Sequence, residues 1–191
     1  MAGRQETSAD DSDFGESDAD RALILDFANT LDVEASTDDL VTRAQLAEFL
    51  QRAGVVDGRA AASEQEVALA RELRSGIRAA MHLNHDEVRG DVPELSRVLT
   101  RLPMRLGWTA GAPSLEPVES GVPGGLAQIA VAVANTHADG SWERLKICAD
   151  SACEEAYYDA SKNRSKNWCG PTCGNKAKTR AYRQRTKTAR D

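Results

Sequence analysis

Along the first hundred residues, apolar side chains recur every three or four positions. Leu23, Ile24, Phe27, Ala28 and Leu31 form one such stripe behind Asp20, a residue suited to cap a helix start, and predict a helix over 20–33. Thr42 with Gln45, Ser63 with Glu66 and Asp91 with Glu94 have capping-box spacing. There the first side chain accepts a bond from the backbone three residues on and the later one reaches back. Three more helices follow from these starts. One carries Leu46, Phe49 and Leu50 and is closed by Gly54; a longer one carries Val67, Ala70, Leu73, Ile77 and Met81; the third carries Leu95, Val98, Leu99 and Leu102. His82 and His85 fall at the end of the long helix, where positive charge suits the macrodipole, and no third metal ligand accompanies them.

At Met104 the period changes to two. Met104, Leu106, Trp108 and Ala110 alternate with Arg105, Gly107 and Thr109, which predicts a half-buried strand followed by a Gly-Ala-Pro turn. Leu115 to Glu119 returns as a second strand, confined to an edge by Pro117, so a hairpin packed on the helices is expected. Gly121-Val-Pro-Gly-Gly125 reads as a breaker cluster, and Leu126, Ile129, Ala130 and Val133 then mark a helix ending near His137. After a polar link at 138–141, short strands are expected at 145–148 and 155–159. A basic loop at 161–167 and a final helix complete the chain. The pattern is α+β and mostly helical: an N-terminal helical domain with a β-hairpin, then a small module with a basic C-terminal helix.

Charge divides the chain more sharply than its overall −6 suggests. Residues 1–20 hold seven acids against Arg4, a net of −6. From Lys162 onward ten bases face Asp191, a net of +9, which leaves −9 between them. Residues 1–19 have almost no large apolar side chain and are expected to be a disordered acidic arm that could compete for the basic end. A single-sign basic end on an acidic protein suits a polyanion, of which nucleic acid is the commonest. No apolar run approaches membrane-spanning length and the N-terminus lacks a secretory pattern, so a cytoplasmic protein, nucleoid-associated when bound to DNA, is expected.

All four cysteines lie in the C-terminal quarter, as Cys148-x4-Cys153 and Cys169-x3-Cys173, fifteen residues apart. Two close pairs at this separation are near the spacing at which two knuckles converge on one tetrahedral zinc. Disulfides would need an oxidising compartment that nothing in the sequence indicates. Four thiolates fill the coordination shell and leave no place for water, so the ion, one Zn2+, is structural. Few large apolar side chains besides Tyr157, Tyr158 and Trp168 are present to order this segment, and metal binding supplies the missing folding energy.

The run Trp168-Cys169-Gly-Pro-Thr-Cys173-Gly174-Asn175-Lys176 resembles the CGNR zinc finger, named for Cys-Gly-Asn-Arg, with Lys176 in place of the arginine. In that family the finger follows an N-terminal regulatory domain called ABATE, described as a stress-induced transcription regulator. Leu25-Asp26-Phe27-Ala28-Asn29-Thr30 is similar to the opening motif of that domain. The resemblance implies an ABATE-like domain at 20–138 and a CGNR finger at 142–191, whose order of knuckle, hairpin and helix is like a treble clef. Asp26, Asn29 and Thr30 read either as capping and surface polarity or as a site for a small-molecule effector or partner.

Projected at 100° per residue, the last helix turns Cys173, Ala177, Ala181 and Gln184 toward the zinc and Asn175, Thr179, Tyr182 and Thr186 away from it. Lys176, Arg180, Arg183 and Lys187 line one edge, and Lys178 and Arg185 the other. Cationic rims around uncharged hydrogen-bonding residues suit a helix in a major groove of double-stranded DNA, with Lys162, Arg164 and Lys166 of the basic loop reaching phosphates beside it. Asn175 could pair with adenine or cap the zinc loop. Lys176 keeps the charge of an arginine but not its bidentate fork. One module binds weakly, so specific recognition calls for a dimer formed through the helical domain. The sequence therefore reads as a non-enzymatic DNA-binding transcription regulator. The alternative is a zinc module that contacts protein or RNA, for example components of RNA polymerase.

Overall fold

The computed structural model describes residues 11–58, 60–85 and 90–188. Its order is α1 (Asp11–Ala28), β1 (Leu31–Asp32), β2 (Thr37–Asp38), α2 (Arg43–Arg52), α3 (Glu64–Leu83), α4 (Pro93–Leu99), β3 (Met104–Thr109), β4 (Ala112–Pro117) and α5 (Gly121–Ala138). A 3₁₀ turn (Trp142–Arg144), β5 (Leu145–Ile147), β6 (Ala156–Tyr158) and α6 (Pro171–Thr188) follow. The strands make three separate antiparallel hairpins, β1–β2, β3–β4 and β5–β6.

The capping boxes at Thr42/Gln45 and Ser63/Glu66 both form, with side chain and backbone bonded reciprocally. The one expected at Asp91/Glu94 does not. Val92 takes the N-cap position without a side-chain bond, and Pro93 opens the helix, its missing N–H being one that a first turn leaves unpaired anyway. Helix α1 begins nine residues before the expected start and ends five before the expected end. Residues 11–19 of the expected disordered arm are thus its first turns. Residues 1–10 lie outside the described residues.

The glycine cluster at 121–125 is the first turn of α5 rather than a break before it. A Cβ on Gly124 would lie 2.2 Å from the Glu119 carbonyl oxygen, and one on Gly125 2.7 Å from a Val56 methyl. These glycines let the nearly all-apolar α5 enter the core at close range against the chain after α2. The β3–β4 turn is Ala110-Gly111, both at positive φ (52° and 83°), so Ala112 and Pro113 belong to β4. The alternation in β3 does give two faces, but the apolar one is not buried: Leu106 and Trp108 are 75% and 74% exposed. Packing of the hairpin on the helices runs chiefly through β4 against α5.

One core joins the helices to the C-terminal module. Ile24, Phe27, Leu46, Leu50, Leu73, Ile77, Leu126 and Ile129 share a cluster with Trp142, Leu145, Ile147 and Ala156. A second, smaller cluster holds Cys148, Cys153, Tyr157 and Cys173, with Trp168 and Cys169 against it. The β5–β6 hairpin thus lies between the helical core and the cysteines, against α3 and α1.

Candidate zinc centre and nucleic-acid interface

The first knuckle leaves β5 at Cys148, whose N–H donates to the Glu155 carbonyl at 2.8 Å. It turns on Asp150, whose carbonyl accepts from Cys153 and Glu154. Glu154 sits at φ 51°, and this left-handed residue returns the chain to β6. The second knuckle leads directly into α6, placing Cys169 two residues before the helix and Cys173 in its first turn.

All four sulfurs lie within 4.8 Å of one another, Cys153 and Cys169 at 3.7 Å and Cys169 and Cys173 at 3.9 Å. Zn–S bonds of about 2.3 Å at tetrahedral angles place sulfurs about 3.8 Å apart, whereas a disulfide needs about 2.0 Å. The cysteines are free thiols, three buried and Cys169 half-buried, and their spacing fits one four-coordinate zinc. Burial pushes the Cys153 thiol up to about 11 and raises Cys169 further still. Cys148 experiences the same burial, but backbone N–H groups and the neighbouring thiols outweigh it and lower its pKa. The Cys153 and Cys169 thiols therefore hold protons at neutral pH, and the metal must displace these on binding. Among the described residues no other group of three His, Cys, Asp or Glu could hold a metal. His85 instead sets Nε2 against the Ile147 carbonyl, joining α3 to the finger.

The basic loop is organised by a residue that sequence patterning did not single out. Asp159, fully buried, accepts from Lys146 Nζ at 2.9 Å and from the backbone N–H groups of Ser161 and Lys166 at 2.9 Å each. Burial alone would raise its carboxyl. The bonds from Ser161, Lys146 and Lys166 together outweigh it and hold the pKa well below the usual carboxylate range. Lys146 is 1% exposed and also reaches the Arg164 carbonyl. A lysine between Leu145 and Ile147 in a short strand was the available signal, since such a charge is buried only with a partner.

Positions 26, 29 and 30 differ in exposure and in partners. Asp26 is exposed on α1. The Thr30 hydroxyl is buried, donating to the Phe27 carbonyl and accepting from Arg74. Asn29 accepts from the Ala156 N–H at 2.8 Å through Oδ1 and donates to the Ala156 carbonyl at 3.0 Å through Nδ2. Because Cys148 and Glu155 are a hydrogen-bonded pair, Ala156, next along, points its backbone groups away from β5, and the Asn29 amide occupies them like the rung of another strand. Two buried arginines one turn apart on α3 complete the joint. Arg74 grips Asp38 through both terminal nitrogens, at 2.7 and 2.8 Å, and Arg78 bonds the carbonyls of Ala28 and Glu154. A cleft of about 580 Å³ lies elsewhere, lined by Leu83, Asn84, Leu95, Leu99, His137 and Trp142 among others.

On α6, Asn175, Lys178, Thr179, Tyr182 and Arg183 are exposed, and the Thr179 hydroxyl donates to the Asn175 carbonyl. Several cations expected at phosphates have partners within the chain. Lys176 pairs with Glu34 of the β1–β2 loop at 3.2 Å, Arg180 with Asp150 at 3.0 Å, and Arg164 with Glu143. Lys166 donates to the Cys169 carbonyl and lies 5.1 Å from the Tyr157 ring centre. Among the described residues Lys162, Lys178 and Arg183 carry no ion pair. Arg185 and Lys187 lie in the last turns of the helix.

Two family models match in the order of these parts. The CGNR zinc finger matches residues 144–186, and ABATE, "putative stress-induced transcription regulator", matches residues 21–140. No curated protein matches the chain. The ABATE match spans well over half of the sequence, and the finger match contains all four cysteines; the chain therefore belongs to the ABATE family and carries a CGNR zinc finger at its C-terminal end.

Proposed function

We propose that the protein is a transcription regulator that binds double-stranded DNA through α6, held by one structural zinc ion at Cys148, Cys153, Cys169 and Cys173. The observation that carries this reading is the placement of α6: its first turn is anchored by Cys173 among the sulfurs, while Asn175, Lys178, Thr179, Tyr182 and Arg183 face outward together. Lys178 and Arg183 meet phosphates on either side of the groove, and Asn175 and Tyr182 face base edges. Lys176, Arg180 and Arg164 join the contact where phosphate displaces their present acidic partners. The protein acts as a binder rather than an enzyme, at DNA in the cytoplasm, and the four thiolates leave the metal no open position for catalysis. No described helix is long and apolar enough to cross a membrane.

Fluorescence anisotropy with labelled duplex DNA over a range of salt concentrations tests this. Each neutralised phosphate contributes about −0.9 to the slope of log K against log salt. Lys162, Lys178 and Arg183 alone give a slope of about −3, and recruitment of Arg185 and Lys187 brings it to about −4 to −5. A slope near zero, or tighter binding to single-stranded RNA of the same sequence, would overturn the proposal.

A further inference from the structure

We propose that the β3–β4 hairpin is a homodimerisation element in which β3 pairs antiparallel with β3 of a second copy. The two edges of the hairpin are not alike. With a two-residue turn, Thr109 and Ala112 form the first hydrogen-bonded pair, and alternate pairs follow. The bond from the Val118 N–H to the Pro103 carbonyl, at 3.1 Å, continues that series and fixes its phase. The residues whose backbone groups point outward are therefore Pro113, Leu115 and Pro117 on β4, and Met104, Leu106 and Trp108 on β3.

Two of the three outward positions of β4 are prolines and have no N–H to offer, a device that closes a sheet edge. β3 has no proline, and among the described residues its outward N–H and C=O groups meet no backbone partner. The same outward residues carry the exposed apolar face. Leu106 and Trp108 are 75% and 74% exposed, and Leu115, opposite Leu106, is 36% exposed. The other face is a closed polar set in which Arg105 holds Glu116, which accepts from Thr109.

The sequence of β3 fits itself. Antiparallel pairing centred on Leu106 sets Leu106 beside its own copy and Trp108 beside Met104 of the other chain, all on the apolar face. On the polar face it sets Arg105 beside Gly107, whose missing side chain leaves room for the guanidinium. No like charges oppose each other. Charge also favours this patch for a second copy. Residues 103–118 hold one arginine and one glutamate, a net of zero, in a region 21–161 that carries −9, so it is a place where two acidic molecules can approach. Joining the two hairpins gives a four-stranded sheet with one continuous apolar face and presents two fingers related by a two-fold axis.

The test is the mass of the 191-residue, zinc-loaded chain by light scattering and sedimentation equilibrium, a readout independent of DNA binding. Wild type is expected to be a dimer at micromolar concentration. Trp108→Glu places a charge on the apolar face, and Leu106→Pro removes an outward N–H at a position of the kind where β4 already tolerates proline. Both are expected to be monomers with at least tenfold weaker association and unchanged zinc content and circular dichroism. Leu106→Cys is expected to give a dimer linked by one disulfide on oxidation, because the paired Cα atoms lie about 5.5 Å apart. A wild-type monomer at about 100 μM, which would leave this face to a different protein, overturns the proposal. A dimer that survives both Trp108→Glu and Leu106→Pro also overturns it.

Discussion

Replacing Asn29 by alanine removes both bonds between the end of α1 and the β6 strand of the finger. The Asn29 amide makes a 2.8 Å bond with the Ala156 N–H and a 3.0 Å bond with its carbonyl, and Ala156 is 3% exposed. Each bond contributes about 1 kcal/mol, and each backbone group left buried without a partner costs about 1–3 kcal/mol, reduced where water enters. Asn29→Ala should therefore destabilise the chain by about 2–4 kcal/mol, which for a protein of this size lowers the melting temperature by roughly 4–16 °C. Urea and thermal unfolding of the zinc-loaded chain, followed by circular dichroism, measure it. Asn29→Asp keeps an acceptor for the N–H but turns a carboxylate oxygen toward the Ala156 carbonyl, and should be at least as damaging. A change under about 0.5 kcal/mol in Asn29→Ala would show that the amide is not a strut, and would return the residue to the role of ligand contact.

Asp159→Asn leaves the buried Lys146 charge without its partner and is expected to cost about 3–5 kcal/mol, read from the urea midpoint. The folded-state pKa of Asp159 lies below its unfolded value near 3.9, so its contribution is complete above about pH 5 and is lost as pH falls through 4 and below. A pH series of melting temperatures should show the variant losing less stability than wild type across that window, and parallel curves would contradict the assignment. Glu34→Gln frees Lys176 from its acidic neighbour and should tighten duplex binding about two- to threefold at low salt, with the difference vanishing as salt rises. Weaker binding in that variant would place Glu34 on the DNA side of the contact.

Local rules carried much of the fold into view. Thr42/Gln45 and Ser63/Glu66 act over four residues, and the helices they open stand where the sequence puts them. The cysteine spacing did the same for the clustering of the four thiols, because bringing them together needs only two short knuckles. What failed depended on distant parts of the chain. The period-two pattern of β3 defined two faces, yet the side covered by α5 is set by tertiary packing, and Trp108 was left outside. The glycines at 121–125 looked like a break because their need for room against Glu119 and Val56 arises only after folding. For α6, helical projection identified the outward residues but not their partners. Glu34 lies 142 residues away from Lys176, and no periodicity relates the two.

The proposed zinc-held helix that meets duplex DNA is tested most directly by following metal content and DNA binding together in one titration. The purified 191-residue chain is stripped by a chelator under reducing conditions and then given zinc back in steps. The expected result is one zinc per chain, loss of duplex binding and of the finger's ordered signal on removal, and recovery of both at one equivalent. A metal-free chain that binds duplex DNA as tightly as the loaded one would contradict the account, as would a loaded chain that ignores duplex DNA at low salt.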